Sequence, residues 1–526
     1  MRRRRSLTDT SSASGAAMTD DVLIVGAGPT GLVLALWLTK IGVRVRIIDK
    51  APESGTTSRA LAVQARTLEL YRQLDLTDAV IARGLRAQAM NMWVQGERKA
   101  RVPLGAIGEG MTPYPYLQVF PQDEHERLLV ERLEALGVRV QRQRELVEFV
   151  DDGARITARI RSPEGAEEVC KSSYIVGCDG ARSTVRQLMG ADFPGGTYRQ
   201  VFYVADIEGS GLAINGELNV ALDRADFILV FPMRGEGRAR LVGVVSDTKA
   251  EHAETLTFED VSSTAIDALK MQVDEVNWFS TYRVHHRVAD RFCKGRALLA
   301  GDAGHVHSPA GGQGMNTGIG DAINLAWKLA MVLRNQAGPE LLASYETERM
   351  AFARRLVQST DRLFTFATAD GPVADFMRTR VAPFIMPIAT RINAVTEFMF
   401  RTVSQTMLNY RDGPLSEGEA GRVHGGDRLP WARAEGVDNY DSLSAIAWQV
   451  HVYGTAKDDL VQWCAARGIP LHVFQWGPLH EEAGLARDAL YLLRPDTYVA
   501  LAESSGNAQA LDRYLSSRSI RLTASR

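Results

Sequence analysis

The sequence predicts an α/β protein in which a nucleotide-binding parallel sheet is interrupted by a second, mostly strand-built region and followed by a small α/β domain. Three observations lead there. VLIVGAGPTGLVLALWLTKIGVRVRIIDK (22–50) reads strand, glycine turn, apolar-faced helix, strand. Residues 199–250 are dominated by strand patterns such as QVFYVADIEG, ELNVALD, DFILVFPM and ARLVGVV. The last hundred residues alternate strands (AWQVHVYG, PLHVFQW, ALYLLR, YVALA) with helices (DDLVQWCAARG, ALDRYLSS).

A chain of 526 residues is too long for one ordinary core, so two or three domains are expected. The formal net charge of −2, with acids and bases interspersed, argues against a nucleic-acid or anionic-membrane footprint and for a small-molecule partner. Cys170, Cys178, Cys293 and Cys464 make no CxxC or zinc-ligand spacing, and they read as reduced thiols of a cytoplasmic protein. Thr39 and Lys40 interrupt the first apolar helix before it reaches membrane-spanning length. MRRRRSLTDTSSASGAAM has a basic start but no apolar region after it, so residues 1–19 read as a disordered tail, with Met18 the functional start.

Along the chain, a helix is expected from about Ala62 to Leu74 and another over ERLLVERLEALG (126–137). RVQRQRELVEFVDD and ARITARIRSP alternate as paired strands do. YIVGCDGARSTVRQLMG (174–190) is a strand, a glycine turn and a helix, and residues 296–333 return to strand, loop and long helix. Residues 340–405 are helical in pattern. The expected domains are therefore 20–190 with 285–410 for the nucleotide, 191–284 for the inserted sheet, a Gly-, Pro- and charge-rich linker at 411–430, and 431–526 for the last unit.

Gly26, Gly28 and Gly31 fit G-x-G-x-x-G between strand and helix. The first permits the tight turn, the second lets backbone approach a pyrophosphate, and the third lets helix pack on strand. Asp49, ending the second strand, can hold the adenosine ribose, and an acid there disfavours the 2′-phosphate of NADP. NAD and FAD stay level on these residues. In GCDGARS (177–183), Asp179 follows an apolar strand, where Asp-Gly is also a commonplace turn. LLAGDAGHVHSPAGGQGMNTGIGDAINLAWKLA (298–330) is richer: a strand delivers Asp302 to a turn, and Gly311, Gly312 and Gly314 precede a helix whose free N–H groups begin near Met315 and Asn316. A carboxylate for ribityl hydroxyls and a helix N-terminus for the negative N1/O2 edge of a reduced flavin are what FMN chemistry needs and NAD does not. His305 and His307 lack a third ligand at metal spacing and read as structural, so no metal is expected.

These three segments, in this order and at these separations, resemble the FAD-dependent aromatic hydroxylases, the single-component flavoprotein monooxygenases, over residues 21 to about 430. Within them the chain looks most like the phenol hydroxylase and pentachlorophenol monooxygenase branch, where a thioredoxin-like domain follows the catalytic part, as LLRPDTYVALA (492–502) suggests. The fold so implied is α/β: an FAD-binding Rossmann-like domain interleaved with a mixed β-sheet substrate domain, plus a C-terminal thioredoxin-like domain. Gly26, Gly28, Gly31 and Asp49 match the ADP-binding turn, and Pro29, Thr30 and Lys50 beside them are counted in the cofactor site. Arg59 matches an arginine that meets the FAD backbone, Gln122 a glutamine near the ribityl chain, and Asp179 with Arg182 the DG motif associated with FAD and NAD(P)H. Asp302 matches the ribityl acid, and Pro309 through Asn316, including Gly312, Gly314 and Met315, the loop against the flavin ring. Gly304 stands where the family has alanine, a change expected to be harmless. The single Cys464 in the last domain argues against thiol–disulfide exchange and for packing or a homodimer contact.

The resemblance implies hydroxylation of a phenolic or polycyclic aromatic: NAD(P)H reduces the bound FAD, O2 adds to give a C4a-hydroperoxide, and one oxygen atom passes to an electron-rich ring. Alternation puts Phe227, Leu229, Phe231 and Met233 on one side of a strand as an apolar substrate wall, or equally as plain core. Tyr203 and Tyr282 could hydrogen-bond a phenol, and Pro309 and Tyr282 are the candidates for catalytic positions. Arg283, Arg287 and Arg291 could meet a phenolate or a nicotinamide phosphate, or form a solvated face. Baeyer–Villiger oxygenation of a polyketide ring and a non-catalytic FAD scaffold remain alternatives, as does an NAD-only dehydrogenase. The WxWxIP motif of flavin halogenases is absent.

Overall fold

Two polar residues followed by an unbroken apolar run make β1 (Asp20–Val25) an interior strand of a parallel sheet, with Val22, Leu23 and Ile24 wholly buried. The structure, a computed structural model, describes residues 20–55, 60–105, 107–222, 227–245, 255–260, 263–308, 312–368, 381 and 393–522, so the tail expected over 1–19 lies outside the described residues. Helix α1 (Pro29–Lys40) opens with proline at its first position, where no N–H is missed, and buries every residue from Gly31 to Leu38. It returns the chain to β2 (Val45–Ile48), parallel to β1 with Val22 opposite Val45.

The helix expected over Ala62–Leu74 is shorter. Ala62 and Val63 form strand β3, because their backbone is claimed by residues 118 and 119, and α2 (Ala65–Tyr71) begins only after the extended Gln64. There follow α3 (Thr77–Arg83), β4 (Leu85–Ala87), the hairpin β5 (Ala89–Val94) and β6 (Glu97–Pro103), β7 (Leu117–Val119) and α4 (Gln122–Ala135). The alternating segments form an antiparallel meander, β8 (Glu145–Asp151), β9 (Ile156–Arg161) and β10 (Glu167–Gly177), and β10 then runs parallel to β1 before α5 (Thr184–Met189).

The second sheet is built from β11 (Gly195–Gly211), β12 (Leu218–Leu222), β13 (Phe227–Pro232), β14 (Arg238–Val245) and, after α6 (Ser263–Ala268), β15 (Met271–Val288). Two boundaries expected for it need correction. β12 pairs in parallel with β5, Leu218 opposite Met90 and Ala221 opposite Trp93, so the sheet recruits the β5–β6 hairpin from within 20–190. β15 also runs past residue 284 to Val288. The eight strands order as His305–Val306, β15, β11, β14, β13, β12, β5, β6. With β16 (Cys293–Lys294) and β17 (Ala297–Leu299) the chain rejoins the first sheet, ordered β16-β17-β10-β1-β2. Helices α7 (Gly314–Leu333) and α8 (Glu340–Thr368) and the helix Asn393–Val403 follow. No helix of the described residues is long and apolar enough to cross a membrane.

The C-terminal sheet has four strands: Gln449–Tyr453 pairs in parallel with Leu471–Phe474 and antiparallel with Leu490–Leu493, which pairs with Val499–Glu503. Residues 411–430 are not a linker. Their backbone bonds to this sheet (Gly426 N–H to Val499 O, 2.6 Å; Ala502 N–H to Glu417 O, 3.0 Å), and Leu429 is fully buried. Glycines at positive φ, Gly418, Gly421 and Gly426, turn the segment back on itself rather than loosening it.

Docking of this unit onto α7 and α8 is ionic and dry. Glu348 accepts from Lys328 Nζ at 2.8 Å and from both Arg494 Nη atoms at 2.7 and 3.0 Å, Arg494 also grips Asp496, and Trp327 donates to Asp496 at 3.0 Å. Burial opposes the ionisation of Glu348, but the charges of Arg494 and Lys328 override it and bring its pKa to about 2. Burial, against the same carboxylate's attraction, pushes Lys328 down to about 8. A second contact joins Arg428 to the buried Glu69, which also holds Arg66, whose Nη2 reaches Asp496 O and Thr497 Oγ1. Removing one member of such a cluster strands the others, so Glu348→Gln is expected to cost about 3–5 kcal/mol in urea unfolding followed by tryptophan fluorescence. The sign with pH is set by the depressed value. The carboxylate's contribution is complete above the ordinary 4.5 and lost as pH falls toward about 2, so the gap between wild type and variant narrows over that window.

Candidate active site

The glycine turn has the geometry its spacing implies. Gly26 sits at φ +104°, and a Cβ there would stand 2.3 Å from Cys178 O. A Cβ on Gly31 would stand 2.0 Å from Gly26 O, whereas one on Gly28 would meet nothing within 4 Å. Two glycines are thus needed by the protein itself, and the third keeps a space open at the N-terminus of α1, where Gly28 is the N-cap and Pro29 the first helical residue. Asp49 closes the turn, accepting from Ala27 N–H at 2.6 Å and Ala51 N–H at 2.7 Å, with the Arg142 guanidinium 3.8 Å away and Lys50 exposed beside it.

Asp302 is exposed on a single turn of 3-10 helix (Gly301–Ala303) that follows β17. That turn is held from both sides. Gly301 N–H donates to Asp321 of α7 at 2.9 Å, and Ala303 O accepts from Arg186 of α5 at 2.8 Å. Asp321 is wholly buried and also takes His305 Nε2 at 2.6 Å and Arg349 Nε at 2.5 Å; burial works against its charge, but Arg349 and His305 bring the pKa to about 2. Thr30 marks where the pieces meet: its Oγ1 lies 2.5 Å from where a Cβ on Gly301 would be and 2.3 Å from where one on Gly318 would be. The N-termini of α1 and α7 and the Asp302 turn therefore share one junction. This cradle fits FAD: open space at a helix N-terminus for the pyrophosphate, an exposed acid at a strand end, and a second helix N-terminus at Gly314 and Met315.

Other expected residues have different work. Asp179 turns inward, accepting from Ser183 Oγ at 2.5 Å and from the N–H groups of Thr184 and Val185 at 2.7 and 3.2 Å, because the start of α5 needs an acceptor. Burial raises its pKa in spite of these bonds. It shapes the loop that backs Gly26. Asn316 is likewise committed: its Oδ1 accepts from Gln64 N–H and Thr67 Oγ1 at 2.9 and 2.8 Å, and its Nδ2 donates to Ala62 O and Gly312 O at 2.9 and 3.1 Å. Its side chain is a clasp between α7 and residues 62–67, and only its backbone is left for a cofactor. Gln122 begins α4 and donates to Glu126 at 2.9 Å, which also accepts from Gly55 N–H at 3.0 Å. Gly304 packs under Phe292, 3.1 Å from where the family's alanine would put a methyl, so that alanine would need the ring to give. Arg59 and Pro309 lie outside the described residues.

Register across the second sheet sorts the residues expected at a substrate into rows. Tyr282, Phe202 and Val244 stand side by side on β15, β11 and β14; Ser280, Val204, Val242 and Leu229 form the next row, and Trp278, Asp206, Arg240 and Phe231 the third. Tyr282, Leu229 and Phe231 thus share one face, an apolar cluster with Phe202, Val204, Val242, Val244 and Trp278. Met233 lies beyond the third row, at the lip of a cavity also lined by Arg240. Phe227 begins β13, and its side chain is outside what is described.

Tyr203 is the correction. It is one residue from Phe202 and so points through the opposite face, where it lies over Gly243, is 2% exposed and stacks 6.2 Å from Phe279 in a separate core. It cannot share a substrate with Tyr282. Arg186, Asp321, Glu126, Trp278, Asp206 and Arg240 were not singled out in the sequence; alternation in VFYVADIE places Asp206 on the side of Phe202, but only strand pairing shows which side that is.

Residues 19–360 match the family described as FAD binding domain, and the chain belongs to it, as an FAD-dependent monooxygenase of the aromatic hydroxylase kind. It is 35% identical over 512 residues to 6-methylpretetramide 4-monooxygenase of Streptomyces rimosus, covering 91% of this chain and 90% of that one. It is 29% identical over 523 residues to pentachlorophenol 4-monooxygenase of Sphingobium chlorophenolicum, with 93% and 94% covered. The solved structure of an anhydrotetracycline hydroxylase from Streptomyces rimosus matches it with a TM-score of 0.76 at 28% identity, over 95% of this chain and 98% of that one.

The glycine geometry separates fold from cofactor. Gly28→Val is expected to leave the apoprotein's melting temperature unchanged while weakening FAD retention at least about tenfold in a flavin-release titration, since it fills space that only a ligand uses. Gly31→Ala is expected to cost the apoprotein about 1–3 kcal/mol by overpacking, whether or not flavin is present.

Proposed function

We propose that the chain hydroxylates a phenolic ring of a planar, polycyclic substrate of the polyketide kind, with NAD(P)H and O2 as co-substrates. The observation that carries this reading is the width of the apolar face. It runs from Tyr282 on β15 across β11 and β14 to Leu229 and Phe231 on β13, three inter-strand steps or roughly 14 Å, which suits a fused-ring system better than a single ring. The names of relatives that act on 6-methylpretetramide and anhydrotetracycline favour the same class.

In this reading Gly26, Gly28 and the start of α1 bind the pyrophosphate, Asp49 takes the adenosine ribose, and Asp302 with the backbone of Gly312–Met315 takes the ribityl and ring portions. When bound, FAD supplies the activation of O2 and the oxygen transfer that no side chain here can perform. The chain's own groups orient and desolvate. The apolar rows exclude water from the substrate, and the half-buried Tyr282 hydroxyl holds the phenol by its oxygen, favouring the ionised, electron-rich ring. The C-terminal unit is read as thioredoxin-like, supported by its parallel pair followed by an antiparallel pair. Its lone Cys464 is buried and pushed up to about 11 by burial, which suits packing rather than redox work. A cytoplasmic setting belongs to the same reading and is supported by the free thiols.

The test is NADPH oxidation by the flavin-loaded enzyme across a panel of phenols under labelled oxygen. Fused-ring phenols are expected to stimulate oxidation and to gain one labelled atom each, and stimulation by none of them overturns the reading. Tyr282→Phe is expected to keep FAD and to lower kcat about tenfold to a hundredfold, with the loss shrinking as pH rises and the phenol ionises unaided.

A further inference from the structure

A bare, uncharged sheet edge is a liability, because its unpaired N–H and C=O groups invite another chain. In the large sheets of this protein the other edges are all managed. β2 is covered by Gln141, whose N–H donates to Ile47 O and whose carbonyl accepts from Asp49 N–H, each at 2.9 Å. β16 is capped by Glu346, which accepts from Phe292 and Cys293 N–H at 2.6 and 2.8 Å. β8 carries Glu145, Glu148 and Asp151; β6 carries Glu97, Arg98, Lys99 and Arg101 and ends in proline; the strand His305–Val306 is two residues long. In the C-terminal sheet the Val499–Glu503 edge is closed by the bonds from residues 417–427.

The opposite edge of that sheet is the exception. Leu471–Phe474 (LHVF) ends the sheet, holds no acid, lysine, arginine or proline, and pairs only with Gln449–Tyr453. Val450 N–H donates to Pro470 O and Gly454 N–H to Phe474 O, so residues 470, 472 and 474 bond inward. The N–H and C=O groups of Leu471 and Val473 therefore point out of the sheet, where no described residue bonds them. Val473 is 50% exposed. The helix Asp458–Arg467 adds to this border: Trp463 and Arg467 both bond Asp512 of the last helix, Ala508–Ser517, and Val461, two residues before Trp463, lies on the other side and is exposed. Leu479, just after the strand, is exposed too. The unit grips α7 and α8 through Arg494 and Asp496, in the turn between the other two strands, away from this edge.

We propose that Leu471–Phe474 pairs antiparallel with the same strand of a second copy of this chain, about a two-fold axis at His472, joining two four-stranded sheets into one of eight. The edge is its own complement in partial charge. With the axis at His472, the Leu471 of each copy stands opposite the Val473 of the other, and each such pair exchanges two N–H···O bonds, four in all. Both pairs set an apolar side chain against a β-branched one on one face of the sheet. The two His472 residues meet on the other face as the non-hydrogen-bonded pair between them, and burial lowers the His472 pKa, which keeps that ring neutral at pH 7. A second copy also brings the same apolar border, Val461, Val473 and Leu479, which an extended peptide lacks, so a closed two-fold contact covers on each copy what it covers on the other. The inference concerns the C-terminal unit and does not depend on which substrate the cradle serves.

At about 50 µM the flavin-loaded wild type is expected to sediment as two chains. Val473→Pro removes an N–H that bonds nothing within one copy, so it is expected to keep the melting temperature and the flavin while weakening the dimer at least about tenfold, two of the four bonds being lost. His472→Cys tests the register: the two Cα atoms fall about 4.5 Å apart, within disulfide reach, and mild oxidation is expected to give a covalent dimer. Gln475→Cys, three residues off the axis, holds its Cα atoms roughly 20 Å apart and is expected to stay uncrosslinked, as is wild type. A wild type of one chain at that concentration, a dimer untouched by Val473→Pro, or cross-linking of His472→Cys no greater than that of Gln475→Cys overturns the pairing. Should Val473→Pro fail to fold, the cross-linking decides alone.

Discussion

Two carboxylates without solvent contact, Asp321 and Glu348, each hold together segments far apart in the sequence, and the frame around the cofactor cradle depends on them. Asp321, midway along α7, holds the Gly301 N–H, His305 and Arg349, and so fixes the turn that exposes Asp302. Glu348, on α8, holds Lys328 of α7 and Arg494 of the C-terminal unit. One helix therefore presents its N-terminus to the cofactor cradle, grips the acid turn at its middle, and anchors the last domain near its far end. Neither cluster is an obvious source of net stability, since desolvation offsets the attraction. What they confer is geometry: a buried carboxylate shared by several donors has one satisfied arrangement, and a shifted α7 would leave buried charge unpaired.

That division explains why the turn at Gly26–Gly31 is so crowded while its neighbour is open. Gly26 and Gly31 are pressed by Cys178 and by each other, and only Gly28 faces space. The DG loop behind them is stiffened by Asp179 capping α5, and Arg186 of that helix reaches across to the acid turn. The cradle is thus a rigid junction of three strand ends and two helix starts, as a site needs when it must hold a large cofactor in register.

Much of this junction was legible in the sequence because its rules are local. A glycine fingerprint, a strand-end acid and a helix start are each set by neighbours within a few residues. What was not legible depends on pairing between distant segments. Nothing in Ala89–Pro103 says that it joins a sheet with Leu218–Leu222, and the glycines of 411–430 look like a linker until Gly426 is seen bonded to Val499. Asn316 and Asp179 look like ligands by position, and the structure adds a fastening role that position does not show, because a buried helix start must satisfy its N–H groups. Tyr203 shows the same limit in one residue: alternation separates it from Phe202 but does not say which face meets the cofactor domain.

The substrate face follows a different logic from the cradle. The cradle is specified by glycines and buried charges that tolerate little change, whereas the face is a set of side chains on an extended sheet, each replaceable without disturbing backbone pairing. Rows one and two are apolar apart from Tyr282 and Ser280. Tyr282 stands in the first row, the Asp206–Arg240 pair in the third and the Glu208–Arg238 pair in the next, so polarity rises toward one end of β11 and β14. Side chains on such a sheet can change while the cradle, pinned by glycines and buried charge, stays fixed.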